Sequence, residues 1–326
     1  MLTTRLTERL GIAHPVISAP MASASGGGLA AAVSRAGGLG FIGGGYGDPE
    51  WIANEFAKIG NQPVGCGFIT WVLAEDSRPL DETLERSPAA IFLSFGDPAP
   101  YADRIKKSGA VFICQVQTLK DAQHAIDVGA DVIVAQGAEA GGHGESRGTI
   151  TLVPEIVDMI AKVKPETLLV AAGGIGDGRG LAASLMLGAD GVLVGTRFWA
   201  SLEAQVHANM HEAAIAASGD DTLRTSVLDA VRKLDWAERY SIRVLKNRFS
   251  DKWHDHTDEL KVADPQVAEG WAAAWATGDT DIANSIVGEV TGLIFDIKPA
   301  AEILETMVSE ATDIISNSFR QNVKHG

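Results

Sequence analysis

Eight short apolar runs, separated by helix-like stretches, constrain this chain more than any other feature. They occupy residues 15–21, 39–44, 63–69, 89–95, 110–116, 131–137, 167–174 and 191–196. Most are apolar at successive positions and do not alternate, the pattern of strands buried on both faces in a parallel sheet. Helical patterns lie between them at 28–36, 50–59, 101–108, 120–128, 154–163 and 178–187. The spacing, roughly 20–25 residues, is that of one βα unit. Eight strands each followed by a helix predict an α/β fold of the (β/α)8 TIM-barrel class, with an open doubly wound sheet as the alternative.

The rhythm stops after Phe198. From 200 to 287 the sequence is helical in pattern, polar and acidic, and it holds Trp236, Trp253, Trp271 and Trp275, four of the seven tryptophans. That is too long for one barrel helix. It predicts a small, mainly helical domain at 213–287, inserted after strand eight into a barrel made of 1–212 and 288–326. Residues 300–321 return as an amphipathic helix that closes the barrel. A chain of 326 residues accommodates this division.

Composition narrows the functional classes. A net charge of −15 argues against nucleic acid as a partner, because phosphate contacts need a basic face. No apolar run reaches the length of about 18 residues that a membrane span needs. The first residues lack the apolar core of a secretory signal. Cys66 and Cys114 sit in apolar runs and read as reduced core thiols of a cytoplasmic protein. The tryptophan-rich insertion would serve either as a homodimer face or as its own small core.

Most of the 36 glycines fall in three windows, 26–47, 137–148 and 173–195. The first contains Gly38-Leu39-Gly40-Phe41-Ile42-Gly43, a literal G-x-G-x-x-G. Its glycines follow a helix and run into a strand, the reverse of a dinucleotide loop, so tight turns are the expectation. In the third window, Ala172-Gly173-Gly174 follows strand seven and Gly195-Thr196 follows strand eight. Loops at those two places commonly bind phosphate in barrel enzymes, with backbone N–H groups facing the anion. Backbone amides supply positive potential even in an acidic protein.

The second window follows strand six and reads Gln136-Gly137-Ala138-Glu139-Ala140-Gly141-Gly142-His143-Gly144. Barrel enzymes place catalytic groups at the C-terminal ends of strands. A histidine among glycines has little packing to serve, and its ordinary pKa suits proton abstraction. Ser18-Ala19-Pro20-Met21 ends strand one as a small corner able to lie against a flat ligand. Met21, Phe68 and Trp71, at strand ends, either line an apolar substrate pocket or belong to the core. His207 and His211 share a helix face without a third ligand, and His254 and His256 flank Asp255 in a polar stretch, so no metal is expected. No Ser or Cys occupies a nucleophile elbow.

Taken together these motifs resemble the nitronate monooxygenase family, also called 2-nitropropane dioxygenases. The likeness rests on the run from Ala135 to His143, on Ala172-Gly173-Gly174-Ile175, on Gly195-Thr196-Arg197-Phe198, and on the opening Pro15-Val16-Ile17-Ser18-Ala19-Pro20-Met21-Ala22. It spans nearly the whole barrel. The resemblance implies an FMN-containing barrel with a second, smaller domain over its C-terminal face. The flavin phosphate would sit on Gly173, Gly174, Gly195 and Thr196, beside Ala172, and the flavin ring near Ala19, Pro20 and Met21. Gln115 and Gln136, with Gly141 and Gly142, complete the implied cofactor contacts. Relatives often carry Lys at the first of these two glutamines and sometimes Asp at the second, so here one cation and one anion are replaced by amides.

His143 matches the family's catalytic histidine. The implied reaction is oxidation of a nitronate or nitroalkane by O2 to a carbonyl compound and nitrite, with His143 as the base and with Met21, Phe68, Trp71 and His143 around the substrate. The rival within the same superfamily is an NAD(P)H-dependent flavin reductase acting on quinones or of the enoyl-acyl-carrier-protein type. A second rival uses the glycine loops for a phosphorylated sugar or nucleotide substrate. A third is a binding module with no catalysis.

Overall fold

A computed structural model describes residues 2–321. Its strands are β1 (Val16–Ser18), β2 (Gly40–Gly45), β3 (Val64–Ile69), β4 (Ala90–Ser94), β5 (Val111–Val116), β6 (Val132–Gln136), β7 (Gly142–Gly144), β8 (Leu168–Ala172), β9 (Gly191–Val194), β10 (Thr222–Thr225) and β11 (Ser241–Leu245). Eight of them form one parallel sheet in the order β1-β9-β8-β6-β5-β4-β3-β2. The two ends of that order meet. Ile17 bridges Leu39, Ser18 N donates to Leu39 O, and Phe41 N donates to Ser18 Oγ. The sheet is thus a (β/α)8 barrel, as the spacing of apolar runs predicts.

Both faces of the barrel strands are buried, which explains the unbroken apolar runs. Ile17, Phe41, Phe92, Ile113, Val132, Val134, Val170 and Leu193 fill the barrel. Their neighbours Val16, Ile42, Ile91, Phe112, Ile133, Leu169 and Val192 face the ring of helices. Such residue layers make the barrel a packed core with no pore. Leu6, on the short helix Arg5–Leu10, joins the interior cluster, and Arg5 holds Asp190 by two hydrogen bonds of 2.8 Å.

Two local expectations are corrected. Gly40 and Gly43 lie inside β2 and form no turns. A Cβ on Gly40 would lie 1.9 Å from the backbone oxygen of Ala30, so helix Gly27–Arg35 seats directly on the strand. The helix expected at 154–163 begins at Thr149, and Pro154 sits within it. Proline suits the first turn of a helix and so marks a start at 154, yet Leu152 and Val153 before it are buried as well.

The stretch 213–287 is not built from helices alone. Within it β10 pairs with β11, and β11 pairs with β7, making a three-stranded antiparallel sheet. The strand β7 comes from the glycine-rich segment after β6. That segment is therefore stitched into the covering layer. The helix Ala300–Gln321 packs along helices Gly178–Met186 and Gly27–Arg35, closing the outer ring.

Candidate active site

One cavity of about 640 Å³ lies between the C-terminal ends of the barrel strands and the covering segment. The barrel supplies Ala19, Pro20 and Met21 from the end of β1, and Phe68 from β3. Gln115 and Gln136 come from β5 and β6. Gly141, Gly142 and His143 follow β6, Ala172 ends β8, and Gly173, Gly174, Gly195 and Thr196 follow β8 and β9. The fold thus gathers every site residue singled out in the sequence except Trp71. Trp71 lies on helix Thr70–Glu75, outside the cavity wall, edge-on to Trp236 at 5.6 Å between ring centroids. It supports the wall from behind.

Small residues shape the barrel side. Gly173 and Gly174 take φ of +100° and +73°, a conformation that favours glycine. A Cβ on Gly173 would lie 2.9 Å from the Gly137 carbonyl oxygen. Gly67 lets Pro20 approach, since a Cβ there would fall 2.3 Å from the proline ring. Thr196 Oγ1 accepts from the Gly288 N–H at 2.9 Å, which ties the returning chain to the barrel mouth and leaves the hydroxyl proton free to donate.

The glutamines divide their work. Gln136 is buried, and its Oε1 accepts from Gln117 Nε2 at 2.7 Å and from Gln115 Nε2 at 3.1 Å. Its Nε2 donates to the His143 carbonyl at 3.0 Å. Gln136 is therefore mostly occupied in fixing its neighbours, and among the described residues Gln115 keeps an unengaged carbonyl oxygen. Gln117 was not legible as a site residue. It is two positions from Gln115 on the same strand line, and that spacing places both amides on one side.

His143 is held from three directions. Its backbone pairs with Ile242 across β7 and β11. Its Nε2 lies 2.9 and 3.0 Å from the two carboxylate oxygens of Asp229, and both side chains are buried. Its ring stacks on Trp236 with centroids 3.4 Å apart and planes 6° from parallel. Burial pushes the His143 pKa below the usual histidine value, outweighing the opposing pull of the Asp229 carboxylate. Asp229 and Trp236 lie 86 and 93 residues from His143 in sequence, so no local pattern links them.

The covering segment supplies the other wall with Leu228, Arg232, Trp236, Ile242, Trp271 and Trp275. The Arg232 guanidinium sits 4.9 Å over the ring of Tyr46, whose hydroxyl burial pushes above the ordinary tyrosine pKa. Phe95, at φ +63°, stacks edge-on against Trp236 at 5.1 Å and Tyr240 at 5.2 Å. Arg224 and Arg243, from β10 and β11, both donate to the Ala138 carbonyl, which braces the loop that carries His143. Burial and the neighbouring Arg243 bring the Arg224 pKa down to about 10. Three of the four tryptophans in the stretch, Trp236, Trp271 and Trp275, therefore face the cavity.

Known proteins resemble this chain in sequence and fold. The family model described as nitronate monooxygenase matches residues 3–65 and 69–310. A nitronate monooxygenase of Metarhizium robertsii is 36% identical over 338 residues, covering 93% of this chain and 92% of its own. The solved structure of FabK from Thermotoga maritima superposes with a TM-score of 0.85 at 32% identity, covering 98% of this chain and 99% of that one. That of nitroalkane oxidase from Streptomyces ansochromogenes gives a TM-score of 0.80 at 24% identity, covering 96% and 99%, and so shows the shared fold. With the family model aligned along almost its whole length, this chain belongs to the nitronate monooxygenase family of oxidoreductases.

Proposed function

We propose that this protein oxidises nitronates, and nitroalkanes that it first deprotonates, using FMN and O2 and releasing a carbonyl compound and nitrite. The observation that carries the reading is a buried histidine, held by Asp229, at the edge of a largely apolar cavity whose floor is two glycine loops. The carbon beside a nitro group is acidic, and a neutral imidazole at cavity depth suits removal of its proton. The resulting nitronate is an anion. Arg232 at the cavity wall provides positive surroundings for it.

The residues present fit FMN. A phosphate suits the left-handed backbone at Gly173 and Gly174 with the adjoining Gly195 and the Thr196 hydroxyl. A flat ring suits the small corner Ala19-Pro20-Met21, and the free oxygen of Gln115 suits a ring N–H or a ribityl hydroxyl. Bound there, FMN would supply the electron-accepting chemistry that no side chain of the cavity offers. In this reading the described residues 2–212 and 288–321 form the cofactor-bearing barrel, and 213–287 covers it and supplies Asp229 and Trp236. Apolar side chains from both parts exclude water around the proton transfer.

Two measurements test the proposal. The purified protein should show flavin absorbance and lose it anaerobically on addition of ethyl nitronate. Bleaching by NADH with none by the nitronate would instead establish the reductase reading, which the similarity to FabK keeps in view. His143→Ala should retain flavin and lose about 10²–10⁴-fold in turnover of neutral nitroalkanes.

A further inference from the structure

We infer that Asp229 is a positioning residue that holds the His143 proton on Nε2, so that Nδ1 is the atom that accepts the substrate proton. This rests on the reading of His143 as a base and deepens it. Both carboxylate oxygens of Asp229 face Nε2, at 2.9 and 3.0 Å. An ionised carboxylate only accepts hydrogen bonds, so Nε2 is the donor. Among the described residues Asp229 forms no other ion pair, and it is fixed in the first turn of helix Val227–Arg232. Among those residues Nδ1 has no hydrogen-bond partner, and it is absent from the enclosed unpartnered atoms.

Rotation is blocked as well as tautomerisation. Flipping the ring would take Nε2 from the carboxylate and leave a buried carboxylate with no donor from His143, while the face of Trp236 at 3.4 Å confines the ring to its plane. In the proton transfer, the C–H bond beside the nitro group breaks and its electron pair moves into the C=N bond of the nitronate. The proton forms a new bond to Nδ1. The imidazolium so produced keeps Nε2–H on Asp229, whose charge offsets the new cation. The same placement leaves a preformed nitronate with no need of Nδ1 as a base.

The histidine titrates among Asp229 and Arg232 on one helix and Arg224 on β10. Asp229 favours the protonated ring and the two arginines oppose it. Removing Asp229 therefore moves the acid limb of the pH profile to lower pH.

The test combines nitrogen NMR of the ¹⁵N-histidine-labelled, flavin-loaded wild-type chain with kinetics of Asp229→Asn. The expected spectrum shows His143 protonated on Nε2 and bare on Nδ1. Asp229→Asn should lose roughly 10²-fold or more in kcat/KM for nitroethane, with a smaller loss for ethyl nitronate and an acid limb displaced downward. A wild-type ring protonated on Nδ1 would overturn the proposal, as would an Asp229→Asn protein with wild-type kinetics and an unmoved limb. The wild-type spectrum decides the matter even if the variant fails to fold. His143→Gln separates the two readings: wild-type turnover of nitroethane in that variant removes the base, while the spectrum still reports the tautomer.

Discussion

Trp236 lies flat on the imidazole of His143, with 3.4 Å between centroids and 6° between planes. The two residues come from different parts of the fold, one from the covering segment and one from the loop after β6. The indole contributes a wall to the cavity and also a restraint on the ring. Its electron-rich face favours a cationic imidazole over a neutral one.

Trp236→Ala should therefore damage catalysis more than folding. Such ring pairs contribute about 0.5–1.5 kcal/mol beyond area burial, which alone predicts a loss of up to roughly tenfold in kcat/KM. Trp236→Phe should recover part of it. Steady-state kinetics with a neutral nitroalkane, beside thermal melts, checks both.

The depressed pKa of His143 fixes two pH dependences. The base is neutral above its folded pKa, so kcat/KM for a neutral nitroalkane should fall only at acid pH, with an apparent pKa below the ordinary 6.5. Folding follows the same sign. The unfolded chain binds the His143 proton at higher pH than the folded chain does, so this residue's contribution is full above 6.5 and declines as pH falls toward the folded value. The urea midpoint of wild type should therefore fall relative to that of His143→Gln as pH is lowered from 8 to 5.

Gly173→Ala should cost both stability and flavin retention. The residue sits at φ +100°, and the added Cβ would press on the Gly137 carbonyl oxygen at 2.9 Å. Backbone strain of this kind costs about 1–3 kcal/mol. The expected result is a lowered melting temperature and a protein purified with less flavin, read from absorbance at the visible bands.

Gln117→Leu tests the amide relay. Gln117 donates the shorter of the two hydrogen bonds received by Gln136, and Gln136 in turn holds the His143 carbonyl. Losing it leaves Oε1 of Gln136 with Gln115 as its donor, at a cost of about 0.5–1.5 kcal/mol for the lost hydrogen bond. The variant should melt lower and show a raised KM with kcat less affected. An unchanged KM would mean that Gln115 alone orients Gln136.

The barrel was legible because its signal is local. An inside residue and an outside residue alternate along each strand, and both are apolar, so Phe41 with Ile42 or Phe112 with Ile113 marks a strand without any partner. The glycines beside the cavity were legible for a related reason: the ends of β8 and β9 have a fixed place in such barrels. The support of His143 was not. Asp229 looks in sequence like one acidic residue in a short apolar helix, and Trp236 like one of several tryptophans. Only the pairing of β7 with β11 brings them to the histidine. Tryptophan enrichment was a real signal of the cavity, but sequence alone gave no reason to prefer that over a separate core. Trp71 was drawn in by its position near a strand end, and it stands one ring behind the wall.

The antiparallel ladder between Gly142–Gly144 and β11 sets a rule for exchanging parts between relatives. A chimera that swaps only 213–287 leaves its host's histidine strand to zip against a foreign edge. Any mismatch in that edge would turn the imidazole away from its carboxylate, however well the new cover shapes the cavity. The transferable unit therefore includes the glycine-rich segment after β6, and substrate preference and histidine alignment travel as one block.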